Sequence, residues 1–233
     1  VQIKTKAGSQ ASVAMIDMTV KLPSDVKGTH MSRFLEVLQN QHAPLEFDSV
    51  KSLMSTMLGR LEATEGHIDM KMPLFLNKVA PVSGVESLLD YDLHIKAAFE
   101  KGTLRYTLQV QVPVTSLCPC SKKISEYGAH NQRSHIVIAA EITENMDAED
   151  LIKIAEQAAS CELWGLLKRQ DEKYVTEKAY DNPKFVEDLV RDIAVALDHS
   201  EKVIAYEVSS ENFESIHNHS AYAWLAKDKR NTH

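Results

Sequence analysis

Cysteine is scarce in this chain, three among 233 residues. So odd and low a number argues against a disulfide framework and fits a reducing compartment, and a cytoplasmic location is expected. Positive charge is short as well. Twenty-six Lys and Arg stand against 33 Asp and Glu, a formal net charge of -7, so a general surface for nucleic acid or an anionic membrane is not expected. A local basic pocket for a small anion stays open, because net charge does not describe a cleft. No apolar run approaches the roughly 20 residues that span a bilayer. No basic-then-apolar secretory leader stands at the start either, so no membrane partner is expected. The sequence begins at Val1 without a methionine, which leaves a preceding piece open.

What is present is an ordinary globular composition, 44% hydrophobic and 25% charged, in a chain long enough for one large domain or two small ones. Alternation is clear in "YDLHIKAAFE", where Tyr91, Leu93, Ile95, Ala97 and Phe99 share one face. After Lys101-Gly102, "TLRYTLQVQV" resumes with Leu104, Tyr106, Leu108, Val110 and Val112 on one side. That is the pattern of a hairpin with a tight turn and one buried face. Shorter strand signals lie at 11–21, 66–77, 134–143 and 202–210, with weaker ones at 1–6 and 219–226.

Helical periodicity comes in two pairs. "HMSRFLEVLQNQ" puts Met31, Phe34, Leu35 and Leu38 on one stripe, and Asp48 is expected to cap a second helix carrying Val50, Leu53, Met54, Met57 and Leu58. Asp147 opens a third with Leu151, Ile154, Ala158 and Cys161. Asn182-Pro183 reads as N-cap and N1 of a fourth, with Phe185, Leu189, Val190, Ile193 and Leu197 apolar. The order is strand, strand, helix, helix, strand, strand, and then the same again. This is an α+β design, an antiparallel sheet with helix pairs on one face. The join falls at Lys101-Gly102, inside a hairpin, so residues 1–101 and 102–233 are expected to be two modules of one continuous sheet.

Between two strands of the second half lies "VTSLCPCSKKISEYGAHNQRSH", residues 114–135. A connection of this length favours function over filler. Thiolate, imidazole and carboxylate together are a common ligand set for zinc and related ions. Cys118 and His130 share this loop, and a third ligand has to come from elsewhere. On residues alone the alternatives stay open: a Cys118–Cys120 redox disulfide, or cysteines that are simply small apolar residues, as Cys161 on its helical stripe is read. His94 and His135 are left without a role. His217 and His219, two apart in "ESIHNHSAY", fit a metal contact, an acid/base pair or a polar strand edge equally well. The charged stretch "KRQDEKYVTEKAYDNP" reads as a solvated loop by default. Glu187 lies at the border of its helix's apolar stripe, unlike the outward Asp188 and Asp192. There a half-buried carboxylate can accept two N–H donors.

The segment "PVTSLCPCSKKISEYGAHNQRSH" closely resembles the signature of GTP cyclohydrolase IB, the prokaryotic type I form distinct from IA. "GTHMSRFLEVL", "APVSGVESLLDYD", "DEKYVTEKAYDNPKFVEDLVRD" and "ESIHNHSAYA" resemble the same family in the same order, so the likeness runs from Gly28 to Ala223. It implies the tunnelling fold, two tandem ββααββ modules per chain, and a homotetramer with active sites at subunit interfaces. It also implies conversion of GTP and water to 7,8-dihydroneopterin triphosphate and formate, the first step toward folate-type pterins. By the same resemblance Cys118, His130 and Glu172 hold a divalent metal ion (zinc, manganese or iron), and Glu187 grips the purine edge. His217 acts at the reacting end as a proton donor, with Cys120 close by. Lys122, Lys123 and Arg133 flank the loop as candidates for the triphosphate, Lys122 and Arg133 foremost. Two rival functions are weighed against it. One is an NADPH-dependent nitrile reductase of the same superfamily; the other is a non-catalytic metal or redox module built on Cys118 and Cys120.

Overall fold

In the computed structural model, which describes residues 1–25 and 28–231, period-two alternation builds one large sheet. Its strands are β3 (Met15–Val20), β4 (Gly66–Val79), β5 (Glu86–Glu100), β6 (Thr103–Leu117), β7 (Asn131–Ile142), β8 (Val203–Phe213) and β9 (Ser220–Asp228). All seven pair antiparallel in sequence order. Alternate residues such as Leu108, Val110 and Val112 of β6 and Ile136 and Ile138 of β7 are buried on one face. Onto that face pack α2 (Phe47–Leu61), α4 (Ala148–Ala158) and α6 (Val186–Asp198), with α1 (Met31–Gln39) against α2. Each fully buried Leu, Ile or Met contributes about 1.5–3 kcal/mol by leaving water, so this layer is the main source of cohesion. No helix among the described residues is long and apolar enough to cross a membrane.

The join at Lys101-Gly102 is a two-residue turn in which both central residues have positive φ, 50° and 80°, the type I′ geometry that matches the twist of paired strands. Glu100 pairs with Thr103 directly across it, so the two halves share one sheet, as the alternation implied. The halves are not equal copies, however. The first gives the sheet only β3, β4 and β5. Its opening strands β1 (Gln2–Thr5) and β2 (Gly8–Ala11) pair with each other, held to the body by the Ile3–Leu45 bridge.

Several local expectations are corrected. The charged stretch read as a loop is helix α5 (Arg169–Asp181), in which only Asp171 and Ala179 are buried, so no apolar stripe announces it. Asn182 therefore closes α5 instead of opening α6: its N–H donates to the Lys178 and Ala179 carbonyls, and its side-chain amide to Ala159 O at 2.8 Å. Helix α6 is capped by Phe185. Asp48 is not a cap either. Glu46 and Ser49 form a capping box for α2, while Asp48 exchanges hydrogen bonds with Asn145. Asp147 does hold the N-cap position of α4. Cys161 is buried as expected, but lies beyond the end of α4 on an extended segment.

That segment splits the sheet. Pairing of β5 with β6 stops at Asp92–Gln111, and beyond it the exposed edge of β6 is taken by Cys161. The Thr115 N–H donates to Cys161 O at 2.9 Å, the Cys161 N–H returns a bond at 3.3 Å, and the Leu117 N–H donates to Ser160 Oγ at 3.0 Å. On the other side of the fork, Trp164 Nε1 donates to Val79 O and the Leu166 N–H to Ser87 Oγ. Helix α5 is then pinned at its first turn. Asp171, with no solvent-accessible surface, accepts from the Val82 and Ser83 N–H groups, the Ser83 hydroxyl and the Lys168 N–H. It lies just beneath the exposed turn residues Pro81 and Val82. Burial raises the Asp171 carboxyl, but these donors outweigh it and hold it well below the usual carboxylate range.

Two outcomes follow. A Cβ at Gly165 would lie 2.5 Å from the Leu88 carbonyl oxygen, whereas one at Gly59, inside α2, meets nothing within 4 Å. Chemical denaturation should show Gly165→Ala destabilised by about 1–3 kcal/mol and Gly59→Ala stabilised by about 0.5–1 kcal/mol. Asp171 has a depressed folded pKa, so its contribution is present above the unfolded carboxyl's titration near 3.9 and is withdrawn as pH falls below it. Unfolding midpoints of Asp171→Asn should lie below those of the parent at neutral pH, and the gap should narrow as pH falls below about 4; parallel curves would contradict the assignment.

Candidate functional site

The β6–β7 ladder runs without a break from Tyr106–Ile142 to Leu117–Asn131. One step further, the Cys118 N–H donates to the His130 carbonyl at 3.1 Å. The register therefore puts Cys118 opposite His130, which is why two residues far apart on the loop stand side by side. Cys118 is also the N-cap of the short helix α3 (Pro119–Ile124), with proline in its first turn, and its carbonyl accepts from the Lys122 N–H and the Ser121 hydroxyl. Cys118 is half-buried, Cys120 exposed, and both are free thiols. The Cys118–Cys120 disulfide is not formed.

His130 Nδ1 lies 3.1 Å from Gln132 Oε1 and 3.2 Å from Ser215 Oγ. Ser215 belongs to the connection between β8 and β9, which carries His217 and His219 with their rings stacked at 5.2 Å. The His217 loop is thus fastened to the same corner as Cys118 and His130. Helix α6 begins there too. The Lys184 N–H donates to Leu117 O at 3.1 Å, and Glu187 lies in the first turn that follows. Glu187 is exposed rather than half-buried; its neighbours Val186, Leu189 and Val190 take the buried side of the first turns of α6.

Other candidates are placed differently. Lys122 Nζ donates to Tyr180 O and sits 4.2 Å above the Tyr180 ring, so the end of α5 occupies it. Alternation sends Arg133 to the opposite sheet face from His130. There it lines a cleft of about 350 Å³ with Asp90, Asp92, Gln111, His135 and Trp164. Glu172 is exposed in the first turn of α5, near the Asp171 anchor. The end of α5 that meets the loop is the other one, about 12 Å away at 1.5 Å per residue. Among the described residues of a single chain, no three His, Cys, Asp or Glu side chains are arranged to hold an ion. The donor types of Cys118 and His130 suit zinc-like ions, and among the described residues only these two such donors meet at this corner. His135 packs edge-on against Phe213 and His94 pairs with Asp69 at 2.8 Å, so both are satisfied where they stand. Gln132 and Ser215 were missed from sequence. The available signal was a polar residue two positions after His130, hence on the same strand face.

A family model described as type I GTP cyclohydrolase FolE2 matches residues 1–223. The GTP cyclohydrolase FolE2 of Cupriavidus pinatubonensis is 57% identical over 230 residues, covering 99% of this chain and 85% of that protein. The protein of the same name from Burkholderia pseudomallei is 58% identical over 229 residues, covering 98% and 86%. Among solved structures, uricase from Arthrobacter globiformis superposes with a TM-score of 0.57 at 8% identity, covering 100% of this chain and 91% of that one. A urate oxidase mutant from Bacillus sp. TB-90 gives 0.55 at 10% identity, covering 98% and 91%. These likenesses establish the tunnelling fold and nothing about chemistry.

The three thiols should separate by reactivity. Burial pushes the Cys161 thiol up to about 11, and thiolate is the reactive form. A chromogenic disulfide reagent at pH 8 should label Cys120 and Cys118 in the folded chain, and Cys161 only after denaturation. Labelling of all three at one rate would contradict this placement.

Proposed function

The chain belongs to the type I GTP cyclohydrolase family and is a GTP cyclohydrolase, and we propose that it works at the corner where Cys118 and His130 face each other. The observation that carries this reading is the ladder pair itself, with the His217 loop bonded to His130 through Ser215. The long Cys-Pro-Cys segment supports the finer assignment to the IB form. The reaction proposed is GTP plus water to 7,8-dihydroneopterin triphosphate plus formate, feeding folate-type pterins. Free cysteines support a cytoplasmic setting. Residues 1–101 and 102–233 are proposed as the two modules.

Cys118 and His130 are proposed to hold a divalent ion, zinc, manganese or iron. Glu172, exposed at the far end of α5, would complete the set from a second copy of the chain. That arrangement supports the homotetramer with sites at subunit interfaces. An ion bound there supplies Lewis acidity, which brings the pKa of water from about 15.7 toward about 7. The remaining roles belong to side chains. His217, exposed on its loop, gives a proton to the guanine imidazole nitrogen as the bond to C8 breaks. Glu187 accepts from the guanine N1–H and 2-amino group. Adenine lacks that donor pair, so the paired geometry favours guanine. Cys120, the second residue of α3, is proposed to lie beside the reacting end. Lys122 and Arg133 are proposed for the triphosphate. Lys122 would have to leave Tyr180, and Arg133 would serve a copy packed on the other sheet face.

Formate release from GTP decides the reading. Chelator-stripped protein should release none, zinc, manganese or iron added back should restore it, and Cys118→Ala should stay at background with every metal. Formate that persists after stripping would remove the metal from the mechanism. Absence of formate from a well-folded protein under all three metals would overturn the reaction and favour an NADPH-dependent substrate.

A further inference from the structure

We propose that Gln132 is a positioning residue that fixes the tautomer of His130, with the proton on Nδ1 and the lone pair on Nε2. The inference rests on the metal role proposed for His130 but concerns groups that are all within this chain. His130, Gln132 and Ser134 have the same parity along β7 and its lead-in, so their side chains leave on one face. On that face Gln132 and Ser134 are 8% and 0% exposed. Ser134 is satisfied by Ser116, its hydroxyl donating at 2.7 Å. The Gln132 side-chain carbonyl instead meets His130 Nδ1 at 3.1 Å. A buried carbonyl oxygen that close to a ring nitrogen requires a donor there, since two acceptors facing each other repel. Neutral imidazole has one N–H. Placing it on Nδ1 leaves Nε2 as the basic nitrogen, and among the described residues Nε2 has no hydrogen-bond partner. A ligating histidine needs a free lone pair on one nitrogen and a partner that holds the other, and such partners tune affinity.

Ser215 makes the assignment testable, because its hydroxyl also lies against Nδ1, at 3.2 Å. A hydroxyl accepts or donates as its neighbour requires. With Gln132 in place, the Nδ1–H is shared between the amide carbonyl and Ser215, and the His217 loop is docked by accepting. Without the amide carbonyl, Ser215 is free to donate to Nδ1, and the proton moves to Nε2, the nitrogen meant for the ion.

Long-range 15N–1H spectra of the metal-free full chain, histidine-labelled, read the tautomer directly. The parent should show His130 with a protonated Nδ1 and a pyridine-like Nε2. Gln132→Leu should invert this pattern, Ser215→Ala should keep it, and neither should lower the thermal midpoint enough to unfold the site. Titration with cobalt(II) alone, followed by its thiolate absorption band, should show affinity about 10–100-fold weaker in Gln132→Leu and little changed in Ser215→Ala. A parent spectrum with the proton on Nε2 overturns the proposal without any variant, as does an unchanged tautomer in Gln132→Leu. The stated tautomer in a parent that binds no cobalt would support the positioning role and count against the metal reading alone.

Discussion

Because β6 and β7 pair in unbroken register to their ends, the residues just beyond them have no freedom to stand anywhere but opposite each other. The backbone bond from Cys118 to His130 is the last rung of that ladder. Everything else at this corner is hung from it. The cap of α3 starts at Cys118, the carbonyl of Leu117 receives the N–H before α6, and the ring of His130 receives the loop between β8 and β9 through Ser215. A one-residue slip between β6 and β7 would send every apolar side chain of one strand to the wrong face. The burial of Val110, Val112, Ile136 and Ile138 therefore also fixes the separation of a thiol and an imidazole at the sheet's end.

The fork between β5 and β6 sets the second dimension of the site. With Cys161 rather than β5 on the edge of β6, the strands spread, and α5 crosses the widened rim from the Asp171 anchor to Tyr180 above Lys122. The two acidic neighbours on that helix are pulled to opposite fates. Asp171 turns inward and is saturated by hydrogen bonds from the β4–β5 turn. Glu172, one residue on, is left in solvent with about 12 Å of helix between it and the loop. Rigid anchoring of an exposed carboxylate is wasteful inside one chain but suits a group presented to another.

The sheet and the corner were legible in the sequence for different reasons. Alternation in 91–112 is long and clean, and the Lys101-Gly102 turn has the residues that positive φ demands. Helix α5 was not legible because its stability comes from Asp171 and from Lys178–Glu162 pairing rather than an apolar stripe. Asn182 before Pro183 looked like a start signal because the preceding residues gave no helix for it to end. The exposure of Glu187 was hidden because a position at the border of an apolar stripe can fall on either side, and here Val186, Leu189 and Val190 take the buried side. The roles of Gln132 and Ser215 depend on a ring nitrogen's neighbours, and Ser215 is brought there by a loop 85 residues away. No local pattern encodes that.

The single chain therefore leaves the proposed groups apart. Cys118 and His130 stand side by side without a third donor among the described residues, Glu187 and Glu172 are exposed, and Arg133 faces away from His130. The outer strands β3 and β9 each have one edge without a strand partner among the described residues, and apolar side chains such as Met15, Tyr222 and Trp224 are exposed on them. Unpaired edges with exposed apolar groups are costly in water and are relieved by joining further sheet. Under the proposed assembly one event would cover those edges and bring carboxylates to Cys118 and His130 from a neighbour. A GTP site assembled that way would exist only in the oligomer, so a chain that folded but failed to associate would keep its core and lose its chemistry.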